Sequence, residues 1–532
     1  METIYRLFKQ QVSEHPDVLA VMDNERTLNF EQLDKLVDTI ASKFLCNNPS
    51  YIGIVMDHSV EMIASILAVV KVGAAYIPAE PTFPIERIRY MMKECDIDFL
   101  ITHEKYAAHI NNGFRKLFIE RGQEIRTDIH IDDMSTADGK AYVLYTSGTS
   151  GEPKGVAVTN KNVCHYVHAF TNEFHPKEGD RMLQHSVCSF DIFVEEMLTT
   201  LLSGAALCIP TEETKADINK LMQFIDEYHI TEMSVFPYLL LEMNKLERIP
   251  SCLRLLISGG DVLREKYITN LLPQALVYNT YGPSETTVCA TYYNCKEGYT
   301  LEDGTYPIGK PVLGVEISIQ DEDGNILKDG ETGEICIYGD GVSLGYIGNK
   351  PEQANFTTDK NGRRMYRSGD LGYILPDGNI AFLHRKDKQV MILGKRVECD
   401  EVENLLNTCS EVEKGIVVPY TDSGNLSYLV SYIVPKDKKK FDYKELRRKL
   451  SMYLTPFMMP SPDTPSGRSA YLMNIYCREQ YRHQGIGRQI VGWLIREARL
   501  QEITKIYLET SVEGRKLYES MDFKDMAGMM KL

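Results

Sequence analysis

The stretch AYVLYTSGTSGEPKGVAVTN, residues 141 to 160, constrains the fold more than any other part of the chain. An apolar run, YVLY, reads as a buried strand and passes straight into TSGTSG, with PKG after it. Glycines let the backbone approach a ligand closely, hydroxyls can donate to phosphate oxygens, and Lys154 supplies positive charge. This is the composition of a phosphate cradle at the end of a strand. The Walker spacing Gly-x4-Gly-Lys-Ser/Thr is missing. A flexible Gly/Ser linker would need neither the strand before the loop nor PKG after it.

Elsewhere, apolar β-branched runs such as YIGIVM, DFLITH, ALCIP and LRLLIS alternate with the helical patterns EMIASILAVVK and INKLMQFIDEYH. That alternation predicts an α/β fold, with parallel sheets covered by helices. Residues 301 to 385 change character, because the short strands EISIQD, GEICIYG and NIAFLHR are separated by DEDGN, KDGETG and LPDGN, a turn-punctuated β segment. Beyond Asp387 lies a smaller α/β piece, with KGIVVPY and LSYLVSYIVP as strands and KKFDYKELRRKLSMYL as a helix. Proline and serine then cluster in MMPSPDTPSG, a linker composition, and a final βα pattern follows. At 532 residues the chain is expected to hold three or four folding units.

Charge narrows the function. There are 59 Lys+Arg against 75 Asp+Glu, a net −16, and no basic run interleaved with aromatics, so neither nucleic acid nor an anionic membrane is an expected partner. The most apolar segment, MIASILAVVKVGAAYIP, is broken by Lys71 and Gly73 and is too short to span a bilayer. METIYRLFKQQVSEHPD carries charges where a signal peptide needs apolar residues, and reads as a first helix. The 12 cysteines are scattered from Cys46 to Cys477 with no CxxC pair and no paired Cys/His spacing. Neither a disulfide framework nor a cysteine-based metal site is expected from that pattern, and a cytoplasmic location fits it.

YTSGTSGEPKG resembles the signature of the adenylate-forming, AMP-binding superfamily, specifically the amino-acid adenylation domains of nonribosomal peptide synthetases. LNFEQLD (28 to 34), KVGAAYIPAEPTFPIERI (71 to 88), FDIFVEEM (190 to 197), NTYGPSETTV (279 to 288), GEICIYGDGVSLGY (333 to 346), YRSGDLG (366 to 372), RKDKQVMILGKRVECDEVE (385 to 403) and LTPFMMP (454 to 460) are similar, in order, to the family's successive core motifs. The resemblance covers residues 1 to about 460. It implies a large adenylation subdomain over 1 to 386 and a small mobile one over 387 to 460, with Asp387 as the hinge residue.

The resemblance also implies chemistry: such enzymes join a carboxylate to ATP, release pyrophosphate, and pass the acyl group to a thiol. By the match, Thr146, Ser147, Gly148, Thr149 and Lys154 would steady the phosphates. Glu285 would hold Mg2+, Tyr281 would stack on adenine beside Gly282, and Asn279 would lie against the adenine edge. Asp370 would accept hydrogen bonds from both ribose hydroxyls, with Arg385 nearby. Asp191 matches the position that pairs with a substrate α-ammonium, which favours an amino acid over a fatty or aryl acid. The remaining pocket positions would be Ile192, Glu195, Ser234, Ile257, Gly259, Thr280, Val288 and Cys289. Most are small or apolar. Glu195 is a second carboxylate, about one helical turn beyond Asp191, where many relatives carry a bulky aromatic. A buried carboxylate calls for a cation, so the expected substrate is basic, lysine first and ornithine next. The other readings have Glu195 turn to solvent or meet an Arg or Lys of the protein.

The last seventy residues have their own logic. In SGRSAYLMNIYCREQYRHQGIGRQIVGWLIREARL, a strand leads into Arg482, Gly485 and Gly487 at the start of an amphipathic helix, an arrangement in which backbone amides can face a pyrophosphate. This resembles the acetyl-CoA loop of GNAT acetyltransferases, with Tyr518 at the position that often acts as general acid, although Asp522 stands where glycine is usual. The earlier strands and helices of such a domain are not in the chain, so 461 to 532 reads as a partial GNAT-like unit that needs help to close a core. After LTPFMMP, the family's closing loop PxxxNGKxxR and its lysine are not found; Arg468 in TPSGRSA reads continuously into the GNAT-like strand. No LGGxS-type site is found either, so the expected thiol acceptor is a separate peptidyl carrier protein or CoA. The expected function is ATP-dependent amino-acid activation. The alternatives are a bifunctional ligase and acetyltransferase, or a fusion that binds nucleotide without turnover.

Overall fold

The computed structural model describes residues 2–45, 49–97, 99–110, 113–148, 152–348, 350–359, 362–387, 389–392, 395–421, 427–437, 441–455 and 458, then 469–472, 491, 495–496, 505–508, 518, 523–526 and 529–531. The chain parts into two compact units, Met1–Glu401 and Val402–Leu532.

The first unit is built on two large sheets and a smaller antiparallel one. One sheet has seven strands, in the order Gly345–Tyr346, Lys154–Thr159, Lys140–Thr146, Ala75–Pro78, Tyr51–Val55, Phe99–Thr102, Arg115–Phe118. Its centre is parallel, as the strand and helix alternation predicts, and the strands Lys140–Thr146 and Lys154–Thr159 form an antiparallel pair around the glycine-rich loop. The second sheet has nine strands, with parallel pairing through Leu276–Tyr281, Leu255–Ser258, Glu232–Val235, Arg181–Leu183, Ala206–Cys208 and Leu19–Met22. Residues 301 to 385 contribute an antiparallel five-stranded sheet that includes Gly333–Gly339, Arg364–Ile374 and Ile380–Arg385, in line with the turn-punctuated pattern. The hairpin Gln389–Ile392 with Lys395–Glu398 completes the unit.

Local sequence explains the helix starts. Ser59 accepts from the amide of Met62 to open Val60–Lys71, a helix buried on every side and mostly apolar, with its charged residues Glu61 and Lys71 ion-paired to Arg26 and Asp38. Asn29 with Gln32, and Thr159 with Asn162, form capping boxes ahead of Phe30–Ala41 and Asn160–Phe174. FDIFVEEM departs from simple periodicity: an α-helical turn, Asp191–Val194, passes into a π-helical turn, Glu195–Thr199. No helix among the described residues is long and apolar enough to cross a membrane.

The second unit contains the helix Tyr443–Leu450 and the hairpin Val412–Thr421 with Ser427–Pro435, both expected from sequence. It also contains a four-stranded sheet in which Ser469–Leu472 runs parallel to Lys505–Leu508, with Met529–Lys531 and Lys524–Met526 antiparallel at its edge.

Candidate functional site

Three groups of side chains converge in the first unit. The first surrounds the end of the strand Lys140–Thr146. Thr146 Oγ1 is buried and has no hydrogen-bond partner among the described residues, so it is a donor awaiting an acceptor. Ser147 Oγ donates to the carbonyl of Arg396 at 3.0 Å. A Cβ on Gly148 would meet the carbonyl of Glu152 at 2.0 Å, which leaves only glycine at that point of the loop; Thr149 lies outside the described residues. Lys154 is buried, with Nζ 3.7 Å from Glu352 and 5.2 Å above the Tyr346 ring. Burial and the neighbouring Arg396 lower its pKa.

Glu285 is fully buried. Arg396 Nη1 reaches both its oxygens, at 3.0 and 3.3 Å, and the Tyr346 hydroxyl donates to Oε1 at 2.6 Å. Burial opposes ionisation, but Arg396, Lys154 and Tyr346 together pull the pKa down to about 2, so the carboxylate is charged. A buried ionised carboxylate is an oxygen donor of the kind that Mg2+ takes. The Arg396 guanidinium now meets both carboxylate oxygens, so a metal ion on Glu285 and Arg396 in this position exclude one another.

The second group centres on Asp370 and Arg385. Asp370 is buried; Oδ1 accepts from Arg385 Nη1 at 2.8 Å and Oδ2 from the Tyr281 hydroxyl at 2.5 Å. Burial raises its pKa against the pull of Arg385. Arg385 also grips Asp387 through two bonds, both 2.7 Å, so the expected hinge aspartate is ion-paired. Asn279 donates its amide to the carbonyl of Pro307 at 2.8 Å. At Gly282 the chain passes so close to itself that a Cβ would lie 2.4 Å from the carbonyl of Val288.

The third group centres on Asp191 and Glu195. Ser284 Oγ donates to Asp191 Oδ2 at 2.5 Å, and burial, with the charge of Glu285, lifts the Asp191 pKa to about 6. Glu195 is buried: the Tyr166 and Ser234 hydroxyls donate to its two oxygens, and Cys289 Sγ lies 3.9 Å away. It neither turns to solvent nor forms an ion pair with an Arg or Lys among the described residues. Desolvation lifts its pKa to about 7. Ile192, Ile257 and Val288 are buried apolar neighbours in the sequence pattern, Thr280 Oγ1 bonds the Ser258 carbonyl at 3.2 Å, and a Cβ on Gly259 would sit 2.7 Å from that Thr280 oxygen. Thr287 and Val288 both adopt positive φ, +62° and +69°, a conformation costly for β-branched residues.

Several residues at these sites were not singled out from sequence, Ser284 among them. Arg396 and Tyr346 lie within the quoted segments GKRVE and SLGY, where their long-range partner Glu285 gives no local signal. Tyr166 sits on the helix Asn160–Phe174 and looks like an ordinary buried aromatic. In the second unit, Arg468, Arg482, Gly485 and Gly487 lie outside the described residues; Tyr518 is buried, its ring 5.9 Å from Phe523.

Residues 8–347 match the family described as AMP-binding enzyme, and residues 458–525 match the acetyltransferase (GNAT) domain. Bacitracin synthase 2 of Bacillus licheniformis is 36% identical over 465 residues, which cover 86% of this chain and 18% of that protein. Gramicidin S synthase 1 of Brevibacillus brevis is 34% identical over 474 residues, covering 86% of this chain and 42% of that protein. The chain thus spans less than half the length of these relatives. Among solved structures, an artificially fused adenylation–PCP di-domain from Klebsiella oxytoca superposes with a TM-score of 0.77 at 22% identity, over 86% of this chain and 93% of that one. An NRPS protein containing adenylation and PCP domains, bound to a vinylsulfonamide inhibitor, gives 0.75 at 23%, over 84% and 78%. At these identities the likeness is one of fold.

Proposed function

The chain belongs to the AMP-binding enzyme family, and from that premise we propose that it activates a basic amino acid, lysine or ornithine, as its adenylate for transfer to a carrier-protein thiol. An oxygen of the amino-acid carboxylate attacks the α-phosphorus of ATP, the bond to the β-phosphate oxygen breaks, and pyrophosphate leaves. A thiol then attacks the acyl carbon, loses its proton, and AMP departs. Asp370 and Tyr281 orient the nucleoside, Thr146 Oγ1 and Lys154 meet phosphate oxygens, and Asp191 receives the α-ammonium. Mg2+ on Glu285, once Arg396 has withdrawn, would supply the charge that offsets the departing pyrophosphate.

The observation that carries this reading is the 2.5 Å bond between Asp191 and Ser284, the residue next to Glu285. It links the carboxylate suited to an ammonium with the carboxylate suited to the metal of a nucleotide. The basic preference is supported by Glu195, whose pocket offers hydroxyl donors and, among the described residues, no ion-paired cation, while desolvation opposes its charge. Hydroxylamine trapping tests the adenylation step and the substrate class: incubation with ATP, Mg2+ and lysine should yield lysyl hydroxamate, measured by mass spectrometry. Hydroxamate formed from leucine or valine in place of lysine or ornithine would refute the substrate class, and none from any amino acid would refute adenylation.

A further inference from the structure

His58, Glu80 and Cys188 lie far apart in sequence yet each offers one ligand atom within 4.8 Å of the others. His58 follows the strand Tyr51–Val55, Glu80 follows Ala75–Pro78, and Cys188 precedes the helical turn that carries Asp191. His58 Nε2 is 3.1 Å from Glu80 Oε1, and the amide of Cys188 donates to that same oxygen at 2.7 Å. We propose that these three side chains form a binding site for one zinc-class divalent ion, separate from the Mg2+ position at Glu285.

The protons on His58 favour this assignment. The Gln184 amide nitrogen donates to the carbonyl of Ser186 at 2.5 Å and to Glu196 Oε2 at 3.0 Å, which turns its oxygen toward His58 Nδ1 at 2.7 Å. Lys215 Nζ donates to the same oxygen at 3.1 Å and stands 3.3 Å from Nδ1. An Nδ1 that faces a fixed carbonyl oxygen carries a proton, so in the neutral ring the Nε2 lone pair points at Glu80. Two electron-rich atoms 3.1 Å apart repel unless a second proton or a cation lies between them. Metal-bound histidines have this arrangement: the outer nitrogen is held by a carbonyl and the inner one is free to ligate.

The ligand set selects the ion. One nitrogen, one carboxylate oxygen and one sulfur suit zinc or cobalt, whereas Mg2+ and Ca2+ take oxygen. With Glu80 ionised and Cys188 bound as thiolate, the two ligand charges offset the ion. The Lys215 and Lys395 ammonium groups and the Glu196 and Glu212 carboxylates complete the charged surroundings. Three protein ligands leave a fourth position open, as in sites that hold a water. The Tyr76 hydroxyl, fully buried and near enough to Cys188 for their charges to interact, has no hydrogen-bond partner among the described residues. The His58 ring is 5.6 Å from Phe193, two residues after Asp191, so a bound ion would brace the segment that delivers the ammonium-binding carboxylate.

The full chain, stripped with chelator and titrated with Co2+, tests this. One equivalent should bind with a thiolate-to-cobalt charge-transfer band in the near ultraviolet, and Zn2+ should abolish the band by displacement. Cys188→Ser should lose the band, while His58→Gln and Glu80→Gln should each weaken uptake by at least about 10-fold. Far-ultraviolet circular dichroism checks that each variant folds, and the three variants act independently, so failure of one leaves two. Absence of stoichiometric uptake would reduce the cluster to an imidazolium–carboxylate pair and overturn the site. A band that persists in Cys188→Ser would overturn it as well, because another thiol would then be the ligand.

Discussion

Asp370→Ala is expected to raise the KM for ATP about 10²- to 10⁴-fold while leaving amino-acid affinity nearly unchanged. The Asp370 carboxylate already accepts Arg385 on one oxygen and Tyr281 on the other. Each oxygen keeps a further lone pair for one ribose hydroxyl. Hydrogen bonds to a charged group contribute about 1.5 to 3 kcal/mol each, and two of them give the stated range. Dideoxy-ATP separates this role from a structural one. The wild type should lose by the same factor when the ribose hydroxyls are removed, and Asp370→Ala should lose little more, the pattern of a coupled pair. If the variant discriminates between ATP and dideoxy-ATP as strongly as the wild type, Asp370 serves only to hold Arg385 and Tyr281.

The second large effect is at Glu195. Glu195→Gln should reduce kcat/KM for lysine on the order of 100-fold relative to an uncharged isostere such as norleucine, because it removes the substrate's counter-charge. Glu195→Lys should abolish the basic preference outright. The same carboxylate shapes stability. Its pKa in the fold is about 7 against an ordinary 4.5, a raised value, so its contribution is fully present below pH 4.5 and is lost as pH rises through 7. The substrate-free wild type should therefore be less stable than Glu195→Gln at pH 8, by roughly 1 to 3 kcal/mol, and not at pH 4. Urea unfolding measures the gap, and saturating lysine should close it at pH 8. A gap that does not depend on pH would mean that the carboxylate carries no desolvation strain.

Much of this architecture is legible in the sequence because its signals are local. An apolar run ending at Thr146 and a mostly apolar helix over Val60–Lys71 are readable from a few consecutive side chains, and so is the turn-punctuated segment that contains Gly333–Gly339. The partners of the site residues are not local. Glu285 meets Arg396 at a separation of 111 residues and Tyr346 at 61, and Glu195 meets Tyr166 at 29. No window of sequence relates such pairs. Periodicity also treats FDIFVEEM as one helix, while the structure changes to a π-helical turn at Glu195, which redirects that side chain relative to Asp191. Cysteine spacing carries no sign of the cluster formed by His58, Glu80 and Cys188: Glu80 lies 22 residues from His58 and 108 from Cys188, and the two parallel strands and the loop before Asp191 bring all three together.

ATP–pyrophosphate exchange by the purified chain, run with Mg2+ across the twenty amino acids and ornithine, is the decisive measurement. The prediction is exchange that depends on lysine or ornithine and exceeds that with any apolar or acidic amino acid by at least about 10-fold, the discrimination one charge-assisted contact provides. Exchange driven by apolar amino acids, or none with any of them, would contradict the account.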